Sequence, residues 1–136
     1  MSHSPLTKQH VAQVFHNLEI SGQAAHFLSH VADNVDWTVK GTHPLAGQYS
    51  SKQHFQEAAL AKIGANIKEP LVMRVTSVLV DQDWAVVEMF ADGAEAKEGW
   101  AFDNNYCWVC RFDKGIIVQA RAYLDSAMVA RLINHS

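Results

Sequence analysis

In the first third of the chain apolar side chains recur at helical spacing. Val11, Val14, Phe15 and Leu18 fall at i, i+3, i+4 and i+7, one buried face of a helix that Thr7 is placed to cap. Ser21-Gly22 breaks that helix. Ala24, Phe27, Leu28 and Val31 repeat the pattern on a second, short helix, which the turn signal Asp33-Asn34 closes. Residues 35–40, with β-branched side chains and Trp37, read as a strand. Residues 41–47, with Pro44 in the middle, read as a loop. Ser50 followed three positions later by Gln53 fits a capping box, and Phe55, Ala59 and Ile63 give one face of a third helix that Gly64 weakens near its end.

After Pro70 the period shifts from helical towards alternation. Strands are predicted over 71–80, 84–91, 100–112 and 116–124. Asp81-Gln82-Asp83 turns between the first two. Asp113-Lys114-Gly115 closes the last two as a tight hairpin that uses glycine at positive φ. Asp125 is placed to cap a closing helix carrying Met128, Val129, Leu132 and Ile133. Helices first and strands afterwards predict an α+β fold, three N-terminal helices packed on one face of a curved, mostly antiparallel sheet. No repeat or linker interrupts it, so residues 1–136 are expected to form one domain.

Composition narrows the function classes. Apolar residues make up 49% and charged residues 18% of 136 positions, as in an ordinary globular protein. The net charge of −3, with scattered Lys and Arg, disfavours nucleic acid and anionic membrane as partners. No apolar run is long enough to span a bilayer, and Met1-Ser2-His3-Ser4 lacks the basic and apolar regions of a secretory signal. A cytoplasmic location is the expectation.

The pair Cys107 and Cys110 has redox or zinc spacing, but it sits in the strand-like run 106–110, where residues three apart face opposite ways. Two buried, inert thiols are expected. His16, His26, His30 and His54 fall on predicted helices. His26 and His30 are an i, i+4 pair with no carboxylate or cysteine nearby to complete a site, so no metal is expected.

Several stretches resemble the nuclear transport factor 2-like superfamily. Residues 33–37, Asp-Asn-Val-Asp-Trp, look like the end of its second helix entering its first strand. Residues 47–52, Gly-Gln-Tyr-Ser-Ser-Lys, look like its glycine turn into the third helix. Residues 111–124, Arg-Phe-Asp-Lys-Gly-Ile-Ile-Val-Gln-Ala-Arg-Ala-Tyr-Leu, resemble the last hairpin of ketosteroid isomerases and SnoaL-like cyclases. The resemblance covers nearly the whole chain and implies the cone-shaped, cystatin-like fold of that superfamily around one mostly apolar pocket. It does not settle the chemistry, because one fold hosts many functions. The isomerase base aligns with Val39, and its two oxyanion donors align with Val14 and Trp108. The Asp-Arg-Asp set of limonene epoxide hydrolases aligns with Met89, Ala91 and Ala122. Neither set of reactive groups is present.

The same alignment implies a ligand pocket walled by Trp37, Val39, Met89, Ala91, Trp108, Ala122 and Leu124, with Tyr106 and Ala120 in the same strand phase. Such a pocket takes a small hydrophobic or aromatic molecule and orients it with a few polar groups. His43, in the loop at the expected pocket mouth, is a candidate general acid or base, or else a histidine that hydrogen-bonds its own turn. Tyr106 is a candidate donor to a ligand carbonyl, or a core tyrosine with a backbone partner. Asp125 stands near where SnoaL-like cyclases carry an acidic residue and could be a base, but it reads first as the cap of the final helix. Glu88, in a strand and on the far face, is expected to pair with Arg111 or Arg121.

Three functions are thereby kept open. One is a cofactor-independent isomerase, dehydratase or cyclase working by proton transfer, with His43, Tyr106 and Asp125 as its catalytic candidates. The second is a non-catalytic binder of a hydrophobic molecule. The third is a dimeric interaction scaffold. In each case a homodimer is expected through the sheet face that carries Cys107, Val109 and Arg111.

Overall fold

A computed structural model describes residues 5–134, so Met1 to Ser4, on which the reading of no secretory signal rests, lie outside the described residues. The elements run α1 (Lys8–His16), a 3-10 turn (Asn17–Glu19), α2 (Ala24–Leu28), β1 (Val31–Val39) and β2 (Gly47–Tyr49). A single helical segment follows, made of α3 (Lys52–Phe55), a π-helical stretch (Gln56–Leu60) and α4 (Ala61–Ala65). Then come β3 (Met73–Asp81), β4 (Trp84–Ala91), β5 (Asn105–Asp113), β6 (Ile116–Leu124) and α5 (Ser126–Asn134). The fold is α+β: α1 and α2, then β1 and β2, a third helical segment, the remaining four strands of one curved mixed sheet, and a closing helix.

The helix starts follow local chemistry. Thr7 Oγ1 accepts a hydrogen bond from the backbone N–H of His10 at 3.0 Å, and α1 buries Val11, Val14 and Phe15. The third segment is capped by Ser51, whose Oγ accepts from His54 N at 3.0 Å, one residue later than the box at Ser50. Asp125 Oδ1 accepts from Ala127 N at 3.0 Å and Met128 N at 3.3 Å, opening α5.

Two expectations about β1 and α2 need correction. Asp33-Asn34 does not end a helix but lies within β1, which begins at Val31, because α2 stops at Leu28. His26 and His30 therefore share no helix. The sheet order is β2-β1-β6-β5-β4-β3, antiparallel throughout except for the parallel pair β1–β6. Shifts of register within β1–β6, β3–β4 and β5–β6 are the bulges that bend such strands. The third long strand is shorter than read: β5 starts at Asn105, and only isolated bridges occupy the stretch before it. The β5–β6 hairpin has Lys114 at φ 53° and Gly115 at φ 82°, the two positive angles of a type I′ turn.

Alternation along β5 buries Tyr106, Trp108, Cys110 and Phe112 under the helices and leaves Cys107, Val109 and Arg111 half-buried on the open face. Both cysteines are free, and they point to opposite faces as their strand position requires. Glu88 is exposed on that open face, opposite Cys107 in register, and pairs with neither arginine. Arg111 reaches Asp83 at 4.0 Å and Gln119 at 3.4 Å, and the Arg121 guanidinium lies 4.9 Å from the ring centre of Trp84. No helix of the described residues is long and apolar enough to cross a membrane.

Candidate functional site

The inner face of the sheet and the helices over it enclose a cavity of about 620 Å³. Its floor follows from register. Val39, Ala122 and Trp108 lie in one row across β1, β6 and β5, and Trp37, Ala120 and Cys110 lie in the next. Alanines on β6 keep the middle of the floor low, while the indoles of Trp37 and Trp108 stand on either side. Leu124 extends the floor beside Tyr106. Phe27 and Leu28 of α2, Phe55, Ala59 and Leu60 of the segment with the π-helical stretch, and Val129 of α5 complete the walls. A π-helical stretch is an uncommon distortion that recurs at functional sites, and this one lies against the cavity.

The aromatic side chains are held by one another. Trp37 stacks on Phe55 with ring centres 4.3 Å apart and meets Trp108 edge-on at 5.2 Å. Trp108 also packs on Phe15, Phe27 and Tyr106 at 5.9, 5.9 and 6.4 Å. The indole Nε1 groups of Trp37 and Trp108 are buried and have no hydrogen-bond partner among the described residues. The Tyr106 hydroxyl makes no hydrogen bond to a described residue either. Burial pushes its phenol pKa well above the usual range, so the group is a neutral donor at any ordinary pH.

Of the candidate residues, the structure brings Trp37, Val39, His43, Tyr106, Trp108, Ala122 and Leu124 together around the cavity. Met89 and Ala91 share the inward phase but lie outside the lining. They are core residues of β4, and Met73 of β3 reaches the cavity instead. Asp125 is also outside it: the carboxylate is exposed and caps α5.

His43 lines the cavity, but its ring is fully engaged. Its Nδ1 accepts from Leu45 N–H at 3.1 Å, so the proton is on Nε2, which donates to the Lys40 carbonyl at 3.1 Å. Desolvation lowers its pKa below the usual histidine value, and the hydrogen bond to Lys40 opposes that shift in part. This is the neutral, turn-bonded histidine rather than a free acid or base. It holds the loop 41–47 closed, together with the Tyr49 hydroxyl, which donates to Leu45 O at 2.7 Å. Gly41 adopts φ 124° beside it, and a Cβ there would meet Ser126 and the His43 ring.

The mouth of the cavity is accordingly not at that loop. The solvent-exposed lining residues are Ile20, Gly22, Ala24 and Ala25 around α2, and Gly64, Lys68, Glu69, Pro70 and Lys97. Lys68 pairs with Glu95 at 3.2 Å. Glu69 is the one carboxylate among the described lining residues. Residues 68, 69 and 97 carry no periodic signal, and only the folded chain places them together.

A family model described as "SnoaL-like domain" matches residues 11–120. A curated relative, the dimerizing cyclase phiC from Fungal sp. (strain ATCC 74256), is 25% identical over 127 residues, which is 90% of this chain and 55% of that protein. The chain thus spans about half the length of the curated relative it matches. Among solved structures, an NTF2-like protein from Burkholderia thailandensis E264 superposes with a TM-score of 0.75 at 20% identity, covering 93% of this chain and 95% of its own. A protein with a ketosteroid isomerase-like fold from Catenulispora acidiphila DSM 44928, in complex with trimethylamine, gives 0.71 at 13% identity and 95% of each chain. By the extent of the family match, and with the fold of these neighbours, the chain belongs to the SnoaL-like domain family.

Proposed function

We propose that the protein takes a small hydrophobic or aromatic molecule into its cavity and acts on it as a cofactor-independent isomerase, dehydratase or cyclase. The open-mouthed, aromatic-floored cavity carries this reading. A rigid apolar container folds a flexible substrate into one reactive shape, which converts lost freedom into rate. The cyclase among the relatives supports that class of chemistry. Because His43 and Asp125 are engaged elsewhere, the proton acceptor in this reading is Glu69 at the mouth.

A second reading, a non-catalytic binder, is favoured by one observation: both His43 nitrogens are taken up by backbone groups. The two readings separate experimentally. The pure protein is screened by thermal shift against small ketones, phenols, lactones and steroids, and each hit is incubated in D2O with the parent protein and with Glu69→Gln. A ligand at about a hundredfold its Kd stabilises by roughly 2.7 kcal/mol, which is readily detected. Deuterium incorporation or a new product in the parent alone supports the enzyme. Ligands bound equally and never altered support the binder.

We also propose a homodimer through the open sheet face. Tyr123 and Leu79 are 42% and 64% exposed there, beside half-buried Val109 and Trp84. Light scattering after size exclusion should give twice the chain mass for the parent and the single-chain mass for Val109→Lys. A monomeric parent at micromolar concentration would refute it.

A further inference from the structure

We infer that the molecule this cavity takes carries an acidic group, such as a carboxylate, on its apolar body, and that the acidic group stays at the mouth against the ammonium of Lys97. The inference rests on the cavity reading and adds the charge of its ligand and the end at which that charge lies.

The formal charge of the lining is all at its rim. Among the described lining residues only Lys68, Glu69 and Lys97 are ionised, and all three are solvent-exposed. His43 is neutral, and the rest of the interior is largely apolar. An ion drawn inside would lose its water and meet no opposite charge, so a charged ligand keeps its charge at the mouth.

A short antiparallel bridge builds that part of the rim. Ile67 pairs with Ala96, Lys68 N–H donates to Glu95 O at 2.9 Å, and Lys97 N–H donates to Asn66 O at 3.0 Å. Ile67 and Ala96 are buried, while Lys68, Glu95 and Lys97 face solvent, as alternation requires. Only one of the two lysines is neutralised: Lys68 Nζ lies 3.2 Å from Glu95 Oε2, directly across the bridge. Opposite Lys97 stands Asn66, which is uncharged and donates its amide to Lys62 O at 2.8 Å. The Lys97 side chain makes no ion pair with a described residue, Glu69 included. Glu69 itself would favour a cation, but it lies on the link to β3, where its backbone makes no hydrogen bond to a described residue. Lys97 is held on the bridge and is the better placed of the two, which leaves Glu69 to the proton transfer proposed above.

The test keeps one apolar body and changes only its head: naphthylbutanoate, naphthylbutanamide and naphthylbutylamine, which at neutral pH are anionic, neutral and cationic. Affinities are measured by titration calorimetry at low and high salt for the parent, for Lys97→Gln and for Lys114→Gln. The last makes the same charge change on the β5–β6 hairpin, outside the lining. The acid should bind tightest and the amine weakest. The preference of acid over amide should be about threefold at low salt, the strength of one partly exposed ion pair, and should shrink at high salt. Lys97→Gln should remove it and Lys114→Gln should keep it. Acid and amide bound alike by the parent at low salt, the amine bound tightest, or a preference that Lys97→Gln leaves unchanged overturns the inference while leaving the cavity reading intact. Binding of none of the three, nor of their phenyl counterparts, overturns both.

Discussion

Asn104 is fully buried and its side chain ties together three parts of the chain. Its Oδ1 accepts from Asn105 N–H at 2.8 Å and Asp125 N–H at 3.0 Å, and its Nδ2 donates to Asp125 O at 3.4 Å. It thus fastens the start of β5 to the end of β6, at the residue that caps α5. Asn104→Ala removes all three bonds and leaves two backbone donors without an acceptor. At about 1 kcal/mol for each bond, the expected loss is ~3 kcal/mol. For a chain of this size that is a fall in Tm of about 10 °C. Urea unfolding, extrapolated linearly to water, measures it. Asn104→Asp sharpens the test because it keeps the acceptor and adds a carboxyl in a buried site. Burial raises that carboxyl's folded pKa above its unfolded value. The stability of this variant should therefore be greatest at low pH and fall as pH rises through the folded pKa. A loss below about 1 kcal/mol in the alanine variant, or an aspartate variant that matches it at every pH between 5 and 8, would refute the role given to Asn104.

Three further perturbations probe the loop and the sheet. The folded pKa of His43 lies below its unfolded value near 6.5, so its contribution to stability is full above that value and is lost as pH falls through the lower folded one. His43→Gln should remove that part of the pH dependence, which differential melting of the two proteins between pH 5 and 7.5 would show. Gly41→Ala places a Cβ against Ser126 and 2.9 Å from His43 Cδ2 at a φ of 124°, and should cost about 2–3 kcal/mol in denaturant unfolding. Burial raises the pKa of the Cys110 thiol far above the usual range and that of Cys107 to a lesser degree. A disulfide reagent at neutral pH should label Cys107 slowly and Cys110 only on unfolding.

The fold was legible where side-chain period and local chemistry agree. Val11, Val14 and Phe15 mark α1 because a 3.6-residue period has one buried face. Lys114-Gly115 marks the last hairpin because a type I′ turn needs two positive φ angles. The misread boundaries are those where tertiary pairing overrode a local signal. Asp33-Asn34 is a turn by propensity, yet parallel pairing between β1 and β6 begins as early as Val31 with Ile117, and a bulge carries those two residues through the strand. β2 went unseen because three residues hold no period, and it exists only by pairing Gly47 to Tyr49 with Val39 to Trp37. The π-helical stretch has no residue signature in Gln56–Leu60.

The site was legible in outline for a related reason. Strand alternation tells which side chains face inward, so Trp37, Val39, Tyr106, Trp108 and Ala122 could be grouped, but it does not tell how far along a strand the cavity extends. Met89 and Ala91 failed on that point. Chemical type misled more. Histidine and aspartate drew attention because they titrate, yet His43 and Asp125 are occupied by backbone groups, which only the folded loop and cap supply. Tryptophan reads as a wall, and by packing alone it is one. The Nε1 groups of Trp37 and Trp108 are sealed in the packing without a partner among the described residues, which fits that role. Glu69, the one carboxylate among the described lining residues, went unseen because no periodic signal marks a residue at the cavity mouth. Loss of turnover with retained binding in Glu69→Gln would separate removing a proton from holding the ligand, whereas loss of both would make Glu69 part of the binding surface.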